Sequence, residues 1–488
     1  MSIADASAAT GACARPNVAP TSAPFGDVMR RLMDVERRLK LFDDRIARAP
    51  YWEFCRLRVH YELTKRLGLL QIETDRRPLR AGEALRLGVS ALRNAAWEQT
   101  SPVGERSIVL LGYPRRFLQP DGRWWDVHLD PLLVDLPWSH VYLRRRDHRR
   151  HFDPIPTEHA VDHDAIDFYV AAYRKLRPIR LQSGDERRLT HVSDELYHEF
   201  GTRLELSELV ADTLTRRRAL RKCYRRLFER VRPKLLVVLA PNEQEKAAVE
   251  LARQFGIRTA EIQHGMFATL DPSYAFPADA GAPRCFADDL LMFGDYWKDL
   301  LDQPPPGAKL RTIGFQYFES RRAVATSPAR KNQILVVSQG PVGRALSQFA
   351  MELARHPRFT GRVVFRTHPD ETDWRSRYPW LIDAPLEVDD GRSRTLYEAL
   401  SESRAQLGVY SFALFEGAAL GVQTFVVDLP GCEGLRPLID RGWATLVRTP
   451  EDVLAHGPAV PDASSLFRPE ARRNFHAYLA ESVGSPQA

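Results

Sequence analysis

The sequence predicts an α/β protein of two successive domains, each built around a mostly parallel sheet, with a helical region in front of them. Three observations carry that expectation. Short apolar runs alternate with helical stretches from "SIVLLG" (residues 107–112) onward, as in sheets buried on both faces. A polar interval, "ESRRAVATSPARKNQ", interrupts the rhythm, which then restarts with "QILVVSQG". The chain has 488 residues, 44% hydrophobic and 27% charged, enough apolar material for two large cores.

Taken in order, residues 1–23 are small, polar and proline-bearing and are expected to be disordered. They lack the basic start and apolar core of a secretory signal. Residues 24–104 place apolar side chains at helical spacing with arginines between them, and Pro50 separates two of the helices. Residues 105–318 form the first α/β domain, with strands at "SIVLLG", "HVYLR", "KLLVVLAP", "TAEIQHG", "DLLMFG" and "LRTIGF". Residues 319–333 read as a linker. Residues 334–488 carry the second domain, with strands at "QILVVSQG", "RVVFRTHP", "AQLGVYS", "QTFVVDLP" and "WATLVRTP", and the last helices. Two such Rossmann-like units face each other across a cleft, and ligands bind outside the carboxyl ends of the strands.

The formal net charge is +7, much of it in runs before residue 235 such as "LTRRRALRKCYRRLFERVRP". Runs of this kind are solvated helix faces or contacts for an anionic membrane surface. No zinc-finger spacing, aromatic RNA-binding signature or dimerising heptad accompanies them, so nucleic acid is excluded as a partner. Five scattered cysteines without Cys-x-x-Cys spacing fit a reducing cytoplasm and no metal site. No apolar run reaches the roughly 18–20 residues of a membrane span. The expected location is the cytoplasm, peripheral to the inner face of the membrane.

The polar clusters fall at strand ends. Ser338, Gln339 and Gly340 close one strand, where Gly340 permits close backbone approach and the next helix start favours an anion. Arg366 and His368 lie two apart before Pro369, so both donate to one side of a strand end. Ser411 precedes a helix that carries Glu416, an acid in a small apolar segment suited to ribose hydroxyls. In the first domain, Gln263-His264-Gly265 ends a strand and presents a general acid/base candidate. "GYPRRFLQPDGRWWDVHLDP" holds Trp124 and Trp125 beside Asp126 and Asp130, a stacking surface with carboxylates that suits a sugar, while Asp121 belongs to a turn. No Asp-x-Asp element or His/Cys cluster is read as a metal site, and no cofactor is expected.

With these clusters, the chain resembles the bacterial surface-polysaccharide glycosyltransferases of GT-B fold over roughly residues 50–450. The resemblance rests on "YWEFCRLRVHYEL", "GYPRR…WWDVHLDPL", "EIQHG", "LVVSQG", "RTHPDE" and "GVYSFALFEGAALGVQTFVVDLPG". More remotely, His368-Pro369 and Ser411…Glu416 are similar to elements of bacterial sialyltransferases, Kdo transferases and teichoic-acid glycerophosphotransferases. That resemblance implies a metal-independent transferase with a nucleotide-sugar donor, a cytidine nucleotide by preference, and a glycan or lipid-linked acceptor in capsule or lipopolysaccharide synthesis. It implies a phosphate against Ser338, Gln339, Gly340, Arg366, His368, Pro369 and Ser411, and a ribose on Glu416. The acceptor lies by Trp124, Trp125, Gln263 and Gly265, and the base is Asp126 or Asp130, with His264 as rival. A nucleotide-sugar 2-epimerase and a non-catalytic scaffold of a polysaccharide assembly complex are the alternatives.

Overall fold

The computed structural model describes residues 25–69, 82, 88, 89 and 104–486, apart from short stretches at 148–149, 158–159, 268–269, 282–283, 302–303, 326–329, 370, 372 and 458–461. The stretch 1–23, expected to be disordered, lies outside the described residues, as does most of 70–103.

The first sheet contains β1 (Ile108–Leu111), β2 (His140–Arg144), β3 (Ala160–Asp162), β4 (Leu235–Leu239), β5 (Arg258–Ile262), β6 (Asp289–Met292) and β7 (Lys309–Thr312). The second contains β8 (Lys331–Val337), β9 (Arg362–Arg366), β10 (Glu387–Asp389), β11 (Ser403–Gly408), β12 (Gln423–Val427) and β13 (Thr445–Val447). Their spatial orders are β3-β2-β1-β4-β5-β6-β7 and β10-β9-β8-β11-β12-β13. Every pairing in both sheets is parallel. Each sheet therefore has the doubly wound order, in which the chain reverses direction beside its first strand and opens a crevice there. The apolar runs become the strands because helices cover both faces: β1, β4, β6 and β12 are buried along their whole length.

The helical front is not a free-standing unit. α1 (Phe25–Arg38) and α2 (Trp52–Arg66) flank a small hairpin that includes Pro50. Three more helices, α3 (Asp164–Leu176), α4 (Ser183–Phe200) and α5 (Leu206–Val231), lie between β3 and β4. Val28, Leu32, Trp52 and Val59 share one apolar core with Leu189, Val192, Leu196 and Leu214. Polar anchors reinforce the join, since the buried Arg56 pairs with Glu36 and donates to the Pro272 carbonyl.

Two boundaries differ from the sequence expectation. The stretch read as a linker opens inside the helix Gln316–Ala325 and ends inside β8, because Phe318 supplies the apolar anchor by stacking on Phe467. The last helix, Ala471–Val483, packs on the first domain rather than the second. Tyr478 donates to Asp289 at 3.0 Å, and Trp138 donates to the Gly484 carbonyl at 2.8 Å. The crossing segment passes so close to the end of β7 that a Cβ on Gly314, which also has a φ of +99°, would overlap the Arg468 carbonyl. No helix among the described residues is long and apolar enough to cross a membrane.

Candidate functional site

The carboxyl ends of the two sheets meet across one cleft of about 790 Å³, within the usual size of a small-molecule site. Loops after β1 and β5 bring Tyr113, Arg115 and His264 to one wall. The end of β9, the loops after β8, β9, β10 and β11, and the helix after β11 bring Ser338, Arg366, His368, Arg394, Ser411 and Glu416 to the other.

The second wall is organised by a residue the motif reading did not single out. Glu371 accepts the His368 amide at 2.7 Å, the Ser338 hydroxyl at 3.2 Å and the Tyr378 hydroxyl, and Arg377 stands 3.6 Å away. Its buried carboxylate folds the turn after β9 back on itself and fixes where His368 and Pro369 line the cleft. The signal was present as His-x-x-Glu, but only folding shows that the acid turns inward. Arg366 lines the cleft while its guanidinium donates to Asp389 at 2.6 Å and to the Arg394 carbonyl at 3.2 Å. Asp389 also accepts from Arg394 at 3.0 Å, so two cations share one buried carboxylate here.

Gln339 and Gly340 do not join the cleft wall. Gln339 reaches the Tyr410 carbonyl at 3.4 Å, and the Gly340 carbonyl accepts from Arg377. The glycine needed for close approach is Gly343, where a Cβ would overlap the Tyr378 hydroxyl. At Gly340 the nearest atom to a Cβ would be a guanidinium nitrogen at 3.8 Å.

Ser411 caps the helix Phe412–Ala419, its hydroxyl oxygen accepting the Ala413 amide at 3.4 Å. On that helix Glu416 is buried and accepts the Tyr397 hydroxyl. Burial pushes its pKa up to about 7, against the hydrogen bond, which favours ionisation. The unfolded chain therefore loses this proton at lower pH than the folded one, and the resulting stability is present in acid and lost as pH rises through about 7. Glu416→Gln should leave the denaturation midpoint unchanged at pH 4 and raise stability at pH 8 by on the order of 3 kcal/mol. Equal effects at both pH values would show that the acid ionises freely in the fold.

The first wall revises the proposed base. A hairpin, Phe117–Leu118 with Trp124–Trp125, closes through a turn at Asp121-Gly122. Strand alternation sends the two tryptophans apart. Trp124 lines the cleft and packs on Phe152 at 4.2 Å, whereas Trp125 lies outside it and donates to Asp121. Asp126 and Asp130 are both buried and lie outside the cleft wall. Asp126 accepts the amides of Tyr113 and His128 at 2.8 and 3.0 Å and the Tyr142 hydroxyl at 3.1 Å. Asp130 pairs with buried Arg116 at 2.8 Å and accepts from Thr157 at 2.6 Å. These bonds commit both carboxylates to holding the surrounding loops. Gln263 is also structural: it donates to the Gly265 carbonyl and accepts the Phe293 amide, each at 2.8 Å, and Gly265 stays out of the wall.

His264 does face the cleft, and a second histidine, His128, stands with it. Tyr113 lies beside both rings, and Phe315 stacks on His128 at 5.6 Å. The Nδ1 atoms of both histidines are buried without a hydrogen-bond partner among the described residues. Burial pulls both pKa values down to about 4, helped at His264 by His128 and at His128 by Arg115. Two imidazoles that burial keeps neutral thus border the space opposite His368 and Ser411. Asp126 holds the backbone of one of them.

An Asp-x-Asp spacing that the motif reading leaves out occurs at Asp162 and Asp164. With His151 these acids form a close cluster away from the cleft. Arg144 pairs with Asp162 at 2.6 Å and Arg146 with Asp164, so two guanidiniums match the two carboxylates.

No protein-family model matches the chain, and no curated protein matches its sequence. Among solved structures, the chain is similar to a UDP-GlcNAc 2-epimerase of Methanocaldococcus jannaschii, with 10% identity over 77% of this chain and 99% of that one and a TM-score of 0.47. It is also similar to MurG of Acinetobacter baumannii, with 14% identity, 77% and 99% coverage and a TM-score of 0.44. A third similarity is to the wall teichoic acid polymerase TagF, with 11% identity, 84% and 94% coverage and a TM-score of 0.38.

Proposed function

We propose that this chain is a GT-B glycosyltransferase that moves a sugar from a nucleotide-activated donor, cytidine by preference, to a capsular or lipopolysaccharide glycan. The observation that carries the reading is one cleft with unlike walls. The wall of the second sheet carries His368 and Ser411, which in this reading donate to the phosphate, and Glu416, which in this reading accepts from the ribose. The wall of the first offers an apolar shelf, Phe117, Leu118 and Trp124, and His264, whose Nδ1 has no hydrogen-bond partner among the described residues.

In this reading the acceptor hydroxyl loses its proton to the neutral His264 imidazole as its oxygen attacks the anomeric carbon. The bond from that carbon to the donor phosphate breaks, and the electron pair leaves with the nucleotide. Charge that develops on the phosphate is met by His368, by Ser411 at its helix start and by the field of Arg366 and Arg394, fixed in place before reaction. A bound anionic donor also favours the imidazolium, which lifts the proton affinity of His264 at the moment it is needed.

Thermal denaturation with CMP, CDP, UDP and GDP tests the donor half. A ligand at a hundred times its dissociation constant adds about 2.7 kcal/mol, and the cytidine nucleotides should give the largest shift. His368→Ala should remove that shift and leave the ligand-free midpoint in place. No shift with any nucleotide would sink the reading and favour the scaffold. A donor epimerised without acceptor would identify the isomerase instead.

A further inference from the structure

A second pocket, on the flank of α5, shares no residue with the cleft. Between Asp212 and Glu229 this helix carries seven basic residues and no acid. Positions 217, 218, 221, 222 and 225 recur at three and four residues and so lie on one helix face. Their side chains line a space of about 260 Å³ to which no carboxylate contributes. Arg217 and Arg221 share the buried Glu250, which stays outside the lining. Arg218, Lys222 and Arg225 are exposed and make no ion pair among the described residues. Five cations are thus gathered against one acid. Burial, with Arg217 and Arg225 adding to it, holds the Arg221 guanidinium below its usual range although Glu250 opposes this.

The remaining lining is apolar and tied down. Ala47 and Ala49 come from hairpin 45–50, where the Ala47 amide donates to Asp185 at 3.3 Å. Ile179 comes from the segment between α3 and α4, and its amide donates to the Thr215 hydroxyl of α5 at 2.9 Å. Apolar walls lower the local dielectric, so these cations repel one another, and attract an anion, more strongly than on an open helix face. Four of the five are arginines, whose planar forks match phosphate oxygens two at a time. The space is smaller than the roughly 300–1,000 Å³ of a pocket for a drug-sized ligand, so it suits a compact ion without a nucleoside.

We propose that this pocket binds a compact polyvalent phosphate anion, of the class of inorganic pyrophosphate, and that the bound anion ties hairpin 45–50 to α5. The cleft and its reaction play no part in this site.

Calorimetric titration of the full chain with inorganic pyrophosphate at physiological salt, paired with hydrogen exchange, tests it. Saturable micromolar binding is expected, with slower exchange at residues 45–50. The double variant Arg218→Gln, Lys222→Gln should lose on the order of a hundredfold in that affinity, because each charge-assisted hydrogen bond contributes about tenfold or more. Neither side chain pairs with an acid, so the ligand-free denaturation midpoint should stay at or above that of wild type. His368→Ala, a change in the cleft, should leave the protection of residues 45–50 intact. Undiminished binding by the double variant, or protection that His368→Ala removes, assigns the anion to the cleft and overturns the proposal. Affinity no better than millimolar marks a solvated face, or one that meets phosphate only on a surface, and overturns it too. Pyrophosphate bound in the pocket of a protein that no nucleotide stabilises would sink the reading of the cleft alone.

Discussion

His264→Ala should lower turnover by about 10²–10⁴-fold, the usual contribution of a positioned acid/base group. Nucleotide binding should stay close to wild type, because His264 belongs to the wall opposite His368, Ser411 and Glu416. A loss confined to turnover is the signature of a group that acts only in the transition state. The fold should survive, since among the described residues the buried Nδ1 of the ring has no hydrogen-bond partner to lose. Its low pKa also has a cost. Between about pH 6.5 and 4 the unfolded chain binds a proton that the folded imidazole refuses, so stability falls as pH falls through that window. The alanine variant should therefore tolerate acid better than wild type. Titration of turnover against pH and of nucleotide affinity by calorimetry checks both halves. Near-normal turnover would remove His264 as the base, and a parallel loss of nucleotide affinity would place it on the donor.

Asp130→Ala should cost about 3–5 kcal/mol of stability, the penalty for stranding one member of a buried ion pair. Arg116 would keep its bonds to the Trp124 carbonyl at 2.9 Å and to Tyr142 at 2.6 Å, but its buried charge would lose its ion-pair partner and keep only the field of Asp126. Asp130→Asn should be milder and still clearly destabilised, because the amide fills the space without the charge. Denaturant midpoints of the two variants test this directly. From the sequence, Asp126 or Asp130 reads as the base, and the burial of both makes a loss of stability the expected result here. An Asp130→Asn protein with the wild-type midpoint and no turnover would restore the catalytic reading.

The sequence by itself determined the alternation of strands and helices, the two sheets and the ends at which polar residues gather. Runs such as "KLLVVLAP" and "QTFVVDLP" can be buried on both faces only as inner parallel strands, and that information is local. The placement of His264, His368, Ser411 and Glu416 on the cleft was legible because strand ends and the helix starts behind them border the crevice whatever their exact contacts. Tertiary structure decided which neighbouring groups the remaining polar residues satisfy. Glu371 turned inward to hold His368, Gln339 and Gly340 turned away, Trp125 faced out while Trp124 faced in, and Asp126 and Asp130 sank beneath the loop they were expected to crown. His128, placed only as a neighbour of two tryptophans in the sequence, became the partner of His264. Only the fold showed that the last helix returns to the first domain and that the first helices share its core. The physical reason is range. Burial periodicity is written over a few consecutive residues, whereas a carboxylate finds its donors among residues as distant in the chain as Asp289 and Tyr478, and no local pattern records that meeting.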